Sequence, residues 1–320
     1  MIARRHLLWI GVTALLAGAL YLAAAAFAGM TEVRLALHEV SIACVAGTLM
    51  ASLVNVGLRC IRWRMYLRVL GHDLPLGVQF PIYLAGLSLT TVPGKVGELV
   101  RSFFLLPHGV PYPTSIAAFF ADRLADLTAV LMLAAILGWA PYPPARVLAL
   151  PAAGLLVVLV LLRMSPGVAR ACLNRIPSAR ARNKLTGLVT TVERLRTCLS
   201  PGVFGLGVLA AMLAYSAQAL ALFFIVRELG GSLAPGAVFL GYFLSALGGA
   251  ASMIPGGLGS TEAALIALLT HFGMTAQSAV AATILIRLGT LWFVVFLGLL
   301  CVAWLQFHIK PPPDVQPVRT

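Results

Sequence analysis

The stretch Ser252-Met253-Ile254-Pro255-Gly256-Gly257-Leu258-Gly259-Ser260-Thr261-Glu262 interrupts an otherwise apolar segment that runs from residue 236 to residue 273. Proline removes a backbone hydrogen-bond donor, and glycine favours irregular backbone over helix. The pattern therefore predicts two helices joined by an unwound tip. Within hydrocarbon, such a tip persists only where protein or water satisfies its polar groups.

A second interruption, Thr90-Thr91-Val92-Pro93-Gly94-Lys95-Val96-Gly97-Glu98, lies in the apolar segment from residue 78 to residue 106. In both segments a Pro-Gly pair precedes a glutamate, and an arginine follows that glutamate by 25 residues, Arg123 after Glu98 and Arg287 after Glu262. The matched order indicates an internal repeat, for which chance similarity between apolar segments is the alternative. The arms of the first segment, of about 14 and 12 residues or ~20 Å of helix, favour a re-entrant hairpin over two spans.

The composition excludes a water-soluble globular protein. The 320 residues are 60% hydrophobic and 10% charged, whereas a soluble domain is ~45–50% apolar and ~25% charged. Six further runs are long and apolar enough to predict full membrane spans: Leu7–Ala28, Val40–Leu58, Ser115–Gly138, Val147–Leu162, Val203–Val226 and Ser278–Leu305. The first run resembles a signal peptide, but its ~33 Å helical length favours an uncleaved span. We therefore predict an all-α polytopic membrane protein with six full spans plus two broken, re-entrant helical hairpins.

These segments form two halves of the same order, residues 7–138 and 147–305, each with two spans, a broken hairpin and a third span. Three crossings is an odd number, so the second half is predicted to be inverted relative to the first. Inverted repeats with broken helices are typical of secondary transporters, whose sites lie near the midplane. We expect residues 1–305 to form one transmembrane domain, and the proline-rich residues 306–320 to form a disordered cytoplasmic tail.

The distribution of basic residues predicts the orientation. With a cytoplasmic N-terminus, sixteen of the 23 Lys and Arg residues fall on the inside and only Arg34, Arg146 and Arg227 fall outside. This split follows the positive-inside rule, and it accounts for the net charge of +13 without a nucleic-acid partner. We expect a multi-pass protein of the bacterial inner membrane with both termini in the cytoplasm.

Ionisable groups within a membrane are costly and are therefore candidates for function. The predicted substrate-binding set combines these groups with the second tip: Lys95, Glu98, Arg101, Asp122, Arg123, Asp126, Pro255, Gly256, Gly257, Gly259, Ser260, Glu262 and Arg287. The repeat predicts that Glu98 pairs with Arg123 and that Glu262 pairs with Arg287, and purely structural ion pairs are the alternative. Ser260 or Thr261 is expected to cap the following helix, whose N-terminus would favour a phosphate.

Two basic segments predict contact with anionic phospholipid headgroups. Arg59, Arg62, Trp63 and Arg64 lie at the predicted cytoplasmic end of the second span. Arginines reach phosphates there and aromatic rings lie at headgroup depth. The basic loop Arg163–Ser200 is expected to rest on the same surface.

Two other function classes stay open. Asp122 and Asp126 are four residues apart on one helix face and could bind a divalent metal in a lipid-modifying enzyme, although pairing with arginine is the simpler interpretation. The protein could also be a scaffold subunit that binds a partner through the loop Arg163–Ser200. The sequence contains neither a P-loop nor an H-E-x-x-H motif, and the five cysteines lack metal-ligand spacing. We assign no catalytic residue, no metal site and no cofactor.

The chain resembles the lysylphosphatidylglycerol synthase transmembrane-region family, a flippase-like membrane domain. The resemblance covers roughly residues 5 to 305, and the matching residues are Arg62-Trp63, Val92 to Glu98 with Arg101, Asp122-Arg123, Ile254 to Gly259 with Glu262, and Arg287. It implies a flippase or transporter of an anionic or modified membrane lipid. In bifunctional members the domain is joined to a soluble aminoacyl-transferase domain, which we do not recognise here, so we expect that this chain does not make such a lipid itself.

The resemblance leaves the substrate open. Similar stand-alone members are associated with hopanoid, cardiolipin or polyprenyl-linked sugar pathways. It implies a membrane lipid as the substrate and an enzyme of lipid biosynthesis as a possible partner, and the oligomeric state is left open.

Overall fold

The computed structural model describes residues 40–88, 100–138, 152–153, 179–252 and 254–308, and within these ranges the regular structure is entirely helical. We number the helices in chain order over the described residues. The first half contributes α1 (Ile42–Val69), α2 (Leu76–Ser88), α3 (Val100–Leu105), a 3₁₀ turn (Leu106–His108) and α4 (Tyr112–Gly138). The second contributes α5 (Ala179–Cys198), α6 (Pro201–Glu228), α7 (Pro235–Ala251), a 3₁₀ turn (Pro255–Gly257), α8 (Ser260–His271), α9 (Ala276–Arg287), a π-helical segment (Leu288–Trp292) and α10 (Phe293–His308).

Three of these helices are long and apolar enough to cross a membrane: Ile42–Val69, Pro201–Glu228 and the continuous run Ala276–Leu305. Helix α4 has 27 residues, but three charged residues interrupt its apolar surface. These helices coincide with four of the predicted spans. The runs Leu7–Ala28 and, apart from two residues, Val147–Leu162 lie outside the described residues. The described residues are all helical, and the protein is a multi-pass membrane protein.

The start of α1 is joined to the end of α6. Ser41 caps α1, since its Oγ accepts a hydrogen bond of 3.1 Å from the Cys44 amide. The Ser41 amide and hydroxyl also donate to the two carboxylate oxygens of Glu228, at 2.7 and 2.6 Å. Because Glu228 is the last residue of α6, these bonds fix the register in which α1 and α6 pack along each other.

The second broken segment has the predicted form of two helices and an irregular tip. Between α7 and α8 the backbone has positive φ at Gly256 (61°), Gly257 (64°) and Gly259 (81°), a region that glycine adopts without steric cost. The predicted capping by Ser260 or Thr261 is wrong. Helix α8 begins at Ser260, its N-cap is Gly259, and the Ser260 hydroxyl donates back to the Gly257 carbonyl at 3.2 Å.

The first broken segment is described on both sides of its tip. Helix α2 has 13 residues, which at ~1.5 Å per residue is shorter than the ~30 Å hydrocarbon core. Helix α3 begins at Val100, so the tip that includes Lys95 and Glu98 lies outside the described residues.

Each broken segment places one helix against the last helix of the other half. Helix α2 lies along α10, and α7 lies along α4. The first of these contacts is close because α10 has a glycine there. A Cβ built on Gly298 would lie 2.7 Å from the Ser88 Cβ and closer still to the Leu84 carbonyl oxygen. Helices α2 and α7 are thereby each held against the opposite half of the sequence.

Candidate functional site

A fully buried arginine joins α1 to α4. Arg62 donates from Nε to Asp122 Oδ1 at 2.8 Å and from Nη2 to Asp126 Oδ1 at 2.7 Å. The side chains of Arg62 and Asp122 have no exposed surface. A buried charge is tolerated when it is paired and hydrogen-bonded, so Arg62 fixes the position of both aspartates.

Two further arginines reach the same aspartates from the more open side. Arg59 Nη2 lies 2.5 Å from Asp126 Oδ2, and Arg123 Nη2 lies 2.9 Å from Asp122 Oδ2 and 3.5 Å from Asp126 Oδ2. The Arg59 and Arg123 side chains are 15% and 26% exposed. We call Arg59, Arg62, Asp122, Arg123 and Asp126 the arginine–aspartate cluster. Three cations and two anions give it a formal charge of +1.

The second tip carries its own ion pair. Arg287 Nε donates to Glu262 Oε1 at 2.7 Å, and its Nη2 donates to the Gly256 carbonyl oxygen at 2.8 Å. Glu262 lies in the first turn of α8, as expected. The pairing predicted from the 25-residue spacing is confirmed here. Its counterpart involves Glu98, which lies outside the described residues.

A cavity of about 630 Å³ separates these two groups of charges. Four charged side chains line it among the described residues: Arg59, Arg123 and Asp126 on one side and Arg287 on the other. Gly256 and Gly257 bring the tip backbone to its wall. The walls come from both halves of the sequence, since α1, α2, α4, α6, α7, α8, α9, the π-helical segment and α10 all contribute lining residues.

Arg101 does not line this cavity. Its guanidinium is stacked on three aromatic rings, with centroid distances of 4.4 Å to Trp63, 4.7 Å to Tyr83 and 5.8 Å to Phe119. The absence of a side chain at Gly86 makes room for it, because a Cβ there would lie 2.5 Å from Arg101 Cγ. The residue is 1% exposed. In this arrangement it ties α3 to α1, and its role in substrate binding stays a prediction.

The predicted headgroup contacts of α1 require a correction. The helix continues without a break to Val69, and Arg62 and Trp63 are each 1% exposed within the protein. Arg59 lines the cavity instead of the outer surface. The expected headgroup interface is therefore wrong for Arg62 and Trp63, because Asp122 and Asp126 of α4 bind Arg62. Trp63 is covered by Tyr83 of α2 and Arg101 of α3.

Arg64 remains at the surface and forms an ion pair. It lies 3.2 Å from Asp73, which also contacts Arg68 at 3.1 Å. The hydrogen bond from Arg68, together with that from Arg64, holds the pKa of Asp73 below its ordinary value. The expected contact of Arg64 with lipid headgroups stays a prediction.

The geometry of Asp122 and Asp126 disfavours a divalent metal. Each carboxylate is bound by two or three guanidinium groups at the distances given above. A cation would have to displace arginines from buried positions. The described part of the chain also lacks a group of three or more His, Cys, Asp or Glu side chains arranged for metal binding.

The other predicted tip residues fall into two groups. Gly256 and Gly257 line the cavity, whereas Gly259, Ser260 and Glu262 lie beside it at the start of α8. The backbone at Pro255 begins the 3₁₀ turn of the tip. Lys95 lies outside the described residues, together with the rest of the first tip.

An uncharged polar surface of the cavity was not among the features predicted from the sequence. Tyr215 and Gln218 on α6 and Tyr242 and Ser245 on α7 line it, and the Tyr242 hydroxyl donates to Gln218 Oε1 at 2.6 Å. The available signal was their spacing. Each pair is three residues apart in a strongly apolar helix, which places its two members on one face.

Comparison with known protein families agrees with the resemblance described above. The family model of the lysylphosphatidylglycerol synthase TM region matches residues 8–298. No curated protein gave a significant match. The matched region includes both broken segments and every charged residue of the cavity, and the family indicates a lipid-related function in a membrane. The chain belongs to the lysylphosphatidylglycerol synthase transmembrane-region family.

Proposed function

We propose that the protein is a flippase that moves a phosphate-bearing lipid between the leaflets of the bacterial inner membrane. The observation that carries this proposal is the cavity between the two halves, whose lining includes Arg59, Arg123 and Arg287. The lipid phosphate would bind these guanidiniums, and the acyl chains would stay in the bilayer.

The chemistry of the cavity suits a phosphate. Guanidinium groups form paired hydrogen bonds to phosphate oxygens and keep their charge at every physiological pH. Of the described charged side chains that line the cavity, three are arginines and one is Asp126. Asp126 already contacts Arg59 and Arg123, so an incoming phosphate would compete with this carboxylate for both.

The rim of the cavity suits a lipid more than a free anion. Phe120 lines the cavity and is itself 47% exposed, so this wall is continuous with the apolar outer surface of α4. Leu127 and Val130 continue the apolar lining along the same helix. A headgroup could therefore enter from the side while its acyl chains remain in hydrocarbon.

Reciprocal packing of the hairpins supports an inverted repeat. Helix α2 of the first hairpin packs on α10 of the second half, and α7 of the second hairpin packs on α4 of the first. In transporters of this organisation, one half moves against the other around a site at their interface. In our proposal Arg287 holds the second tip closed through Gly256, and a phosphate that engages Arg287 weakens this contact.

The orientation and the partners form part of the same proposal. Both termini would face the cytoplasm, and the basic region from residue 163 to residue 200 would contact anionic headgroups there. An enzyme of lipid biosynthesis on the cytoplasmic side would supply the substrate.

Leaflet exchange in liposomes tests the proposal. The purified protein is reconstituted with phosphatidylglycerol that carries a fluorescent acyl chain, and exchange is followed with a membrane-impermeant quencher. We expect the protein to accelerate exchange and Arg123→Ala to reduce it at least ten-fold, because a charge-assisted contact to phosphate contributes roughly 1.5–3 kcal/mol.

Arg227→Ala is the matched control. Arg227 is also an arginine near the end of a spanning helix, but it is exposed and stacks on Phe223 with a 5.3 Å separation. Its variant should exchange lipid at the wild-type rate. Equal exchange rates for Arg123→Ala and Arg227→Ala, with both proteins folded, would contradict the proposal that the lipid passes through the cavity.

A further inference from the structure

The cavity is larger than a phosphate group requires. Its volume of about 630 Å³ lies within the ~300–1,000 Å³ range of pockets that enclose drug-sized ligands. A phosphate bound at Arg59, Arg123 and Arg287 would leave much of this space to another part of the headgroup. The chemistry of the remaining wall indicates what that part is.

Helices α6 and α7 bring a group of uncharged polar side chains to the cavity wall, beside apolar residues of α7. We call Tyr215, Gln218, Tyr242 and Ser245 the neutral wall; all four residues line the cavity. Gln218 is 9% exposed and Ser245 is fully buried. Polar side chains inside a membrane protein are costly unless they have a partner or a role. The four polar side chains of the neutral wall therefore call for a role in this cavity.

The hydrogen bonds of the neutral wall determine what each group can offer a ligand. Tyr242 donates to Gln218 Oε1, which occupies the acceptor end of this amide and orients its NH₂ group as a donor. The Tyr242 hydroxyl gives its hydrogen to Gln218, and its oxygen can still accept a hydrogen bond. Ser245 is bonded within its own helix, donating to the Tyr242 carbonyl oxygen at 2.8 Å. The wall thus presents both donors and acceptors, which suits hydroxyl groups because a hydroxyl is both.

A cationic headgroup fits the cavity poorly. Asp126 is its one acidic lining residue among those described, and Arg59, Arg62 and Arg123 already surround this carboxylate. An ammonium group would enter beside three arginines without a carboxylate to receive it. Repulsion between the ammonium group and the arginine side chains would disfavour binding of such a headgroup.

We propose that the neutral wall selects a lipid whose phosphate carries an uncharged, hydroxyl-bearing headgroup. This inference rests on the proposed function and adds the substrate class to it. The arginines bind the phosphate, and Tyr215, Gln218 and Tyr242 hydrogen-bond the hydroxyl groups. Headgroups that end in a quaternary ammonium are rejected by the arginines.

Three lipids with the same fluorescent acyl chain test the inference. Phosphatidylglycerol adds two hydroxyl groups to the phosphate, phosphatidic acid adds none, and phosphatidylcholine adds a cation. We expect the wild-type protein to exchange phosphatidylglycerol about five-fold faster than phosphatidic acid, as one or two neutral hydrogen bonds allow, and phosphatidylcholine slowest.

Variants of the neutral wall should lower this ratio. Tyr242→Phe and Tyr215→Phe each remove one hydroxyl and keep the ring, so we expect the ratio of phosphatidylglycerol to phosphatidic acid exchange to fall toward one. Tyr215→Phe leaves the bond between Tyr242 and Gln218 intact and serves if Tyr242→Phe does not fold. Tyr112→Phe, at an exposed tyrosine at the start of α4, is the control and should keep the wild-type ratio.

The outcomes separate this inference from the function on which it rests. A ratio that starts at one, a ratio that neither variant changes, or fastest exchange of phosphatidylcholine would overturn the inference while exchange itself persists. Absence of exchange for all three lipids would instead contradict the proposed function.

Discussion

Arg287 and Glu262 are 25 residues apart in the sequence and form an ion pair with an Nε–Oε1 distance of 2.7 Å. The same guanidinium holds the carbonyl oxygen of Gly256 at 2.8 Å. One side chain therefore joins α9, the start of α8 and the irregular tip. The pair is largely buried, with both side chains 12% exposed.

Loss of this arginine should destabilise the second hairpin. We expect Arg287→Ala to reduce the free energy of unfolding by about 3–5 kcal/mol, the usual cost of leaving one member of a buried ion pair without its partner. The double variant Glu262→Ala/Arg287→Ala should recover part of that loss, because no charge is then left unpaired. Denaturant unfolding in detergent gives the coupling free energy, and strictly additive effects would show that the contact does not stabilise the hairpin.

This ion pair could be predicted from the sequence because the residues that indicate it recur in a fixed pattern. The Pro-Gly tip, the glutamate and the arginine recur at fixed spacing, and proline and glycine act on the backbone wherever they occur. The burial of Arg62 could not be predicted in this way. An arginine beside tryptophan at the end of an apolar run is typical of a membrane interface, and the aspartates that bury it lie 60 and 64 residues further along the chain.

The arginines of the cluster should separate into structural and cavity-lining roles. Arg62→Ala leaves Asp122 and Asp126 without their central partner, so we expect a loss of at least about 3 kcal/mol in the free energy of unfolding. Arg59→Ala should reduce stability less, since its side chain is 15% exposed, but should still slow lipid exchange. Unfolding and exchange measured on the same preparations check this division. Equal destabilisation by both substitutions would contradict it.

The contact between α2 and α10 should be intolerant of added volume. Gly298→Ala places a Cβ against the Leu84 carbonyl oxygen and the Ser88 side chain, and overpacking of this kind costs about 1–3 kcal/mol. Gly205→Ala is the matched control, because no described atom lies within 4 Å of a Cβ built there. Thermal unfolding should show a lower midpoint for Gly298→Ala alone. A shared midpoint for both variants would mean that the two helices do not pack this closely.

Metal ions should have no effect on lipid exchange. The carboxylates of Asp122 and Asp126 are bound by Arg59, Arg62 and Arg123, so they cannot accept Mg²⁺ without breaking buried ion pairs. We expect the same exchange rate in EDTA and in millimolar Mg²⁺, measured in liposomes. A rate that requires Mg²⁺, or the appearance of a chemically altered lipid, would restore the metal-dependent enzyme as the better account.

The neutral wall, like the burial of Arg62, depends on contacts between distant parts of the sequence. Charge marks a residue of an apolar sequence as a candidate for function, whereas Tyr215 and Gln218 are uncharged and of types that are common in long helices. Only the packing of α6 against α7, which brings Tyr242 to Gln218, reveals that four such residues share one wall.

The most direct test of the central claim is to locate the lipid headgroup on the protein. A phosphatidylglycerol with a photoreactive diazirine in its headgroup is reconstituted with the wild-type protein, and the labelled peptides are identified by mass spectrometry. We predict labels on cavity-lining segments around Arg123 and Tyr242, and their loss when excess unlabelled phosphatidylglycerol is added. Labels confined to outward-facing positions such as Ile136 and Leu206, which are 62% and 59% exposed, would contradict the account.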